Sequence, residues 1–333
     1  MMPLLNVKNL KIDIEQSRGE LLHAVRDISF TVNKGEKLGL VGESGSGKSL
    51  TALSIMRLLH SPYRITGSVA LDGTDLYTLN DKEMARVRAG QLGIIYQDPT
   101  SSLNPVFTVG DQIIEAIQLS EKVSHAEART RAIDLLTEVG VKDAKTRANN
   151  YPHQFSGGMR QRVMIAMAIS TNPKLLIADE PTTALDVTTQ ARVMELLSRI
   201  VDQRGLAVIL ITHDLGVASQ FCDRLSVMYG GKIVETGSIK DVISAPLHPY
   251  TKALINSVCT VDLDVTKPMV AIGGQPPVLS NLPSGCTFHP RCPQANTTTC
   301  VSTIPALVTI GIERSAACDL IDTKSGSIGF SHV

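Results

Sequence analysis

An α/β fold with helices covering a parallel sheet is what this chain of 333 residues predicts, and three features predict it. The octad Gly42-Glu43-Ser44-Gly45-Ser46-Gly47-Lys48-Ser49 fits the phosphate-loop pattern G-x-x-x-x-G-K-[ST], and it stands between a strand pattern and a helix pattern. From Leu175 to Cys222 short apolar runs alternate with helical periods, as in a sheet built of successive strand–helix units. Apolar residues make up 43% of the chain against 19% charged, enough to build a sizeable globular core.

The elements follow in order. Leu4-Leu5-Asn6-Val7 and Ile28-Ser29-Phe30-Thr31-Val32 read as early strands, with a turn at Ser17-Arg18-Gly19-Glu20. Asn33-Lys34-Gly35 turns the chain into Lys37-Leu38-Gly39-Leu40-Val41, a buried strand feeding the phosphate loop. After the loop, Leu53, Ile55, Met56 and Leu59 give a helix its apolar face. Gly67 to Leu71, closed by Asp72-Gly73, and Leu92 to Tyr96 are further strands. Residues 98–108, rich in Pro, Ser, Thr and Asn, read as loop. Val109 to about Val141 has helical spacing (Ile113, Ile117, Ala132, Leu135, Leu136), and another helix runs from Ser156-Gly157-Gly158 to about Ser170. Leu175 to Ala178 is a strand, Thr188 to Asp202 a helix, Ala207 to Ile211 a strand, and Gly216 to Cys222 a helix. A hairpin joins Leu225–Tyr229 to Lys232–Glu235 around Gly230-Gly231. Beyond 256 prolines are frequent and periodicity fades, which predicts a loop-rich appendage with little core of its own. The Gly/Ser-rich residues 323–333 are expected to be disordered.

The octad has a physical logic. Its glycines let successive N–H groups converge on one anion. Lys48 brings a mobile charge to the β- and γ-phosphates, and Ser49 offers a hydroxyl to Mg²⁺. A helix starting near Lys48 adds its positive end. A Gly/Ser-rich turn would match by accident on the order of 1% of the time in a chain this long. Asp179 and Glu180 end an apolar strand. A solvated acidic strand end is the common reading of such a pair, but beside a phosphate loop Asp179 suits Mg²⁺ and Glu180 suits the base that orients attacking water. Ser156, Gly157 and Gly158 open a helix and form a second anion site of the same kind.

Composition narrows the classes. A formal net charge of zero argues against broad nucleic-acid binding. No run reaches the length of a membrane span, and the first residues lack an export-signal layout. A cytosolic chain is expected, without structural disulfides. Four of its six cysteines, Cys286, Cys292, Cys300 and Cys318, then admit three readings: buried thiols, zinc, whose usual paired C-x₂₋₄-C ligands are missing, or a 4Fe–4S cluster.

Phe155-Ser156-Gly157-Gly158-Met159-Arg160-Gln161-Arg162 resembles the LSGGQ signature of ATP-binding cassette (ABC) proteins. With the phosphate loop, Gln97, Asp179-Glu180, Ala184-Leu185-Asp186 and His213, every family motif stands in family order. The resemblance implies a P-loop NTPase with a RecA-like core, an N-terminal antiparallel β subdomain and an α-helical insertion at about 98–170. It implies a nucleotide-binding domain over 1–255 and ATP with Mg²⁺ as cofactors. It also implies that Gly42 to Ser49 bind ATP, that Ser49, Gln97 and Asp179 serve Mg²⁺, that Glu180, His213 and Gln97 are catalytic, and that Asp186 lies in the D-loop. Ser156, Gly157 and Gly158 would face ATP on an opposing cassette, so that two cassettes join head to tail. Phe155 and Met159 depart from the usual Leu and Gln. No aromatic stands in Leu10-Lys11-Ile12-Asp13-Ile14 to stack adenine, leaving Ile14 for apolar contact.

His248-Pro249-Tyr250-Thr251, Pro276-Pro277, Gly285-Cys286 and Phe288-His289-Pro290-Arg291-Cys292-Pro293 are similar to the C-terminal extension of oligopeptide and dipeptide importer ATPases. That resemblance implies an extension over 256–322 whose Cys286, Cys292, Cys300 and Cys318 hold a 4Fe–4S cluster, with Cys222 and Cys259 as core residues. It implies ATP-driven import of di- or oligopeptides from the cytoplasmic face of a bacterial inner membrane. The partners would be a related but distinct second ABC ATPase subunit, two transmembrane permeases met by residues 98–108, and an extracytoplasmic solute-binding protein; nucleic acid is not among them. Import of nickel or another small solute is the nearest alternative, since other subunits choose the cargo. A soluble cassette ATPase uncoupled from transport is a second, disfavoured by the lack of coiled coils or a second cassette. A nonhydrolysing regulator is opposed by Glu180 and His213.

Overall fold

The computed structural model describes residues 2–17, 19–183, 185–257 and 272–322, with 327–328 as backbone. Arg18, Ala184, Cys259 and, apart from 327–328, the tail from 323 lie outside the described residues. Two compact units interleave along the sequence: Met1–Leu5, Val32–Glu36 and Leu71–Leu210 form one, and Asn6–Thr31, Lys37–Ala70 and Ile211–Val333 form the other.

The unit carrying the phosphate loop is organised around Lys37–Val41, which pairs parallel with Arg224–Tyr229, Leu38 opposite Arg224 and Val41 opposite Val227. The hairpin expected at Gly230-Gly231 is present, with Tyr229 opposite Lys232. The loop-rich appendage nonetheless adds two strands to this sheet. Arg314–Ala316 pairs antiparallel with Lys232–Ser238, and Val308–Gly311 pairs antiparallel with Arg314–Ala316. A bare edge leaves backbone donors and acceptors unpaired, and a chain with little core of its own gains one by adding strands there. Ala316 and Phe288 are accordingly buried, and Ala316 packs with Leu247 and Ile321. In a further sheet of this unit Leu21–Val32, Leu5–Glu15 and Tyr63–Leu71 are neighbours in that order. The first two outrun the apolar stretches that suggested them: Asn9 takes φ 49°, and burial resumes beyond it at Leu10 and Ile12.

In the other unit Leu92–Ile95 pairs parallel with Leu175–Asp179, Leu92 opposite Leu175. All five residues of the latter are buried, as in a strand covered on both faces. The helical stretch expected over 109–141 divides into Val109–Ser120 and His125–Glu138, because Ser124 accepts from the Glu127 N–H and starts a new helix. Asp81–Gly90 is a helix that apolar spacing did not indicate: it buries only Met84 and Val87 and begins in a capping box between Asn80 and Glu83. Within 98–108 one helical turn, Pro99–Ser102, is capped by Asp98. Gln112 then fastens the loop, accepting from the Asn104 N–H at 2.9 Å and donating to its carbonyl at 3.0 Å. Among the described residues no helix is long and apolar enough to cross a membrane.

Candidate nucleotide site

The strand Lys37–Val41 delivers the chain into the phosphate loop, and the helix Lys48–Ile55 leaves it. Gly42 and Gly47 hold φ 153° and 102°. A Cβ on Gly42 would strike the Met228 carbonyl, and one on Gly47 would stand 2.9 Å from the Ala24 carbonyl, so only glycine fits at either position. The Lys48 ammonium, 5% exposed, donates to the carbonyls of Gly42 at 2.8 Å and Glu43 at 3.0 Å, curling over the loop it belongs to. The Ser46 hydroxyl is buried and has no hydrogen-bond partner among the described residues. A buried orphan hydroxyl inside a ring of glycines fits an anion arriving with its own acceptors. Elsewhere in this unit His213 is exposed just beyond the strand Ala207–Thr212. It precedes Asp214, whose carboxylate caps the helix Leu215–Phe221 by accepting from Gly216 and Val217.

The other unit gathers the acidic residues. Asp179 ends its strand buried. Glu180 then turns with φ 47°, a left-handed conformation that redirects its side chain at the strand end. Its carboxylate accepts from Gln97 Nε2 at 3.1 Å and from the Thr183 hydroxyl at 2.9 Å, so two of the expected site residues stand in direct contact. Ser156 is the N-cap residue of the helix Gly157–Ile169, yet its hydroxyl makes no capping bond. The first N–H groups of that helix therefore remain available to an outside acceptor. Phe155 is buried under the Arg147 guanidinium, so the residue that departs from the usual leucine serves as packing. Asp186 caps the helix Val187–Arg204 through the Thr189 N–H at 3.0 Å, and that bond holds its carboxyl below the usual carboxylate range. Any Cβ on Gly158 would lie 2.7 Å from Thr189 Cγ2, so the signature helix and the helix after Asp186 approach too closely for a larger residue.

Sequence reasoning assigned no role to the groups around Glu43. The Glu43 N–H donates to the Tyr250 hydroxyl at 2.8 Å, and its carboxylate is gripped by Arg291 at 2.6 and 3.0 Å. Tyr229, Tyr250 and Phe288 pack at 4.5–5.4 Å between ring centroids. The signal was the placing of Tyr250, Phe288 and Arg291 in and beside a stretch otherwise poor in core residues. Pro276 and Pro277 line a groove together with Glu43 to Ser46.

Phe288 and Arg291 lie between Cys286 and Cys292. The Cys286 N–H donates to the Cys300 carbonyl at 2.9 Å. Burial pushes the Cys286, Cys292 and Cys318 thiols up, Cys318 to about 11, and neighbouring thiols add to each: Cys300 on Cys286, Cys286 and Cys300 on Cys292, and all three on Cys318. Thiols are the donor type an iron–sulfur centre uses. As placed, no three His, Cys, Asp or Glu side chains among the described residues form a group able to hold a metal ion. Cys222 is buried and its thiol sits against Gly39.

A strand–loop–helix phosphate cradle, a strand-end carboxylate held by a glutamine, and a second helix N-terminus opened by Ser-Gly-Gly define a P-loop nucleoside triphosphatase. The family described as ABC transporter matches residues 25–183, and that described as oligopeptide/dipeptide transporter, C-terminal region, matches 234–300. The oligopeptide transport ATP-binding protein OppD of Escherichia coli is 48% identical over 88% of this chain and 86% of its own. For AppD of Bacillus subtilis the values are 46%, 97% and 98%. A solved dimeric, post-hydrolysis ATP-binding cassette, MJ0796 with ADP and Pi, is 29% identical with a TM-score of 0.64, covering 71% of this chain and 98% of that one. The chain belongs to the ABC transporter family and is an ATPase of it.

Proposed function

We propose that this chain is the ATP-hydrolysing subunit of a membrane importer of di- or oligopeptides. The observation that carries this reading is one chain joining an ABC cassette to an extension of the oligopeptide/dipeptide transporter kind. Its relatives OppD and AppD are named as oligopeptide transport ATP-binding proteins. Residues 1–255 act as the nucleotide-binding domain, with residues about 98–170 as its helical insertion, and 256–322 as the extension.

The residues divide the work. Gly42 to Ser49 receive the phosphates on N–H groups, the Ser46 hydroxyl and Lys48, whose ammonium exchanges carbonyl acceptors for charged oxygens. Ser49 would offer its hydroxyl to Mg²⁺, and Gln97 and Asp179 would offer it oxygens; when bound, Mg²⁺ would neutralise phosphate charge. Glu180 takes the proton of the attacking water, and Gln97 and Thr183 aim its carboxylate. His213 contacts the γ-phosphate. Ser156, Gly157 and Gly158 meet ATP held by an opposing cassette, a related but distinct chain, with Asp186 at the joint. Two permeases and an extracytoplasmic solute-binding protein complete the assembly at the cytoplasmic face of the inner membrane.

Reconstitution tests this. With the second cassette, permeases and binding protein in proteoliposomes, peptide uptake should require ATP, and Lys48→Ala should abolish it by weakening nucleotide binding, while the chain alone should hydrolyse slowly. Uptake of nickel in place of peptide would move the reading to the alternative cargo, and uptake unaffected by Lys48→Ala would overturn it.

In this reading Cys286, Cys292, Cys300 and Cys318 hold a 4Fe–4S cluster, the crosslink that a segment with little core of its own needs. Protein purified without oxygen should be brown with about four irons per chain, and any one Cys→Ser exchange should lose iron and expose the segment beyond 280 to protease. Colourless, iron-free protein with full transport would leave free thiols or zinc.

A further inference from the structure

Glu43 occupies a position where the phosphate-loop pattern demands no particular residue, yet it is held both at its side chain and at its N–H. Arg291, 248 residues further on, grips both of its carboxylate oxygens. The Arg291 side chain is 5% exposed and that of Glu43 22%, so the pair is largely shielded from water. The rest of the guanidinium is satisfied: Nη1 donates to the Tyr229 hydroxyl at 3.2 Å, Nε to the Gly273 carbonyl at 2.8 Å, and Nη2 to the Ile272 carbonyl at 3.3 Å. It also lies over the Tyr229 and Phe288 rings. Arg291 is therefore fixed independently of Glu43 and serves as an anchor.

The anchor reaches the phosphate chemistry in two steps. Residue 43 is held by its side chain through Arg291 and by its N–H through the buried Tyr250 hydroxyl, which sets its peptide plane. The carbonyl of that residue accepts from the Lys48 ammonium. Where Glu43 sits thus decides where Lys48 rests and how the neighbouring N–H groups point. We propose that Arg291 is a positioning residue of the ATP site, holding the phosphate loop in its anion-binding shape through Glu43. The extension is then a working part of the nucleotide site. This rests on the ATPase reading, since it presupposes that the loop binds nucleotide.

Calorimetric titration of the full-length protein with Mg·ATP, alongside its melting temperature, tests it. Arg291→Gln and Glu43→Gln should each weaken Mg·ATP about tenfold or more. The double variant should lose no more than either alone, because one coupled pair has been removed. Arg291→Lys should fall between, because an ammonium cannot grip both oxygens. A merely structural staple would lower the melting temperature and leave the affinity within twofold of wild type; that result, or additive losses, overturns the proposal. Should Arg291→Gln not fold, Glu43→Gln carries the same two outcomes from the loop side. A wild-type chain that binds no nucleotide would instead sink the ATPase reading.

Discussion

Glu180, proposed as the base, sits in a strained turn with φ 47°, and its carboxylate accepts from Gln97 and Thr183. An amide in its place keeps the shape and cannot take a proton. Glu180→Gln should therefore bind ATP as the wild type does and lose about 10²–10⁴ in turnover, read as phosphate release from the assembled transporter; wild-type turnover would remove the base assignment. His248 makes a different prediction. It is fully buried beside Phe288, and its Nδ1 accepts the Tyr250 N–H at 3.0 Å. Burial pushes its imidazole down to about 3. Below the ordinary histidine range the unfolded chain takes up a proton that the native chain refuses, so stability falls as pH drops from about 6.5 toward 3, by about 1.4 kcal/mol per pH unit while one proton separates the states. Burial raises Glu235, which acts with the opposite sign and cancels when wild type is compared with His248→Asn, a substitution that keeps the helix cap. Urea unfolding at pH 7 and 5.5 should show the wild type losing ground to the variant; parallel slopes would contradict it. The octad, Glu180 and Asp186 were legible because each motif is local. The pair Glu43–Arg291 was not, because nothing in either neighbourhood names the other.

Among elements, the two added strands show how a segment without its own core is held. Arg314–Ala316 lies between two neighbours, with Ser315 opposite Thr236 on one side and Thr309 on the other. Glu235, within the same register, is buried and accepts from the Leu247 and His248 N–H groups at 2.9 and 2.8 Å and from Arg314. Arg314 also donates to the Ala245 carbonyl. Proline at 315 removes a ladder donor and crowds a neighbour. Ser315→Pro should cost about 1–3 kcal/mol, with faster amide exchange confined to 232–238 and 308–316; unchanged exchange there would show that the strands contribute little. These strands escaped sequence reading because they are short, and Val308 to Gly311 is largely exposed, leaving no strong alternation. The helix Asp81–Gly90 escaped for a related reason: two buried residues make no stripe, and its clearest sign was the polar pair Asn80 and Glu83.

For the whole molecule, the α/β class was legible because buried parallel strands are nearly pure apolar runs, Leu175 to Asp179 above all. Their grouping was not, since the compact units cut across the order of the chain. The change of composition near 256 marks where helical periodicity fades; it does not mark where packing ends. One consequence concerns the making of the protein. The ion pair that braces the phosphate loop joins residues 248 positions apart. A ribosome adding about 5–20 residues per second therefore releases the two partners tens of seconds apart. A nascent chain, or one terminated before residue 291, carries the complete octad but lacks its brace, so the nucleotide site is finished only once Arg291 has been made, and ATP affinity reports whether that residue has arrived.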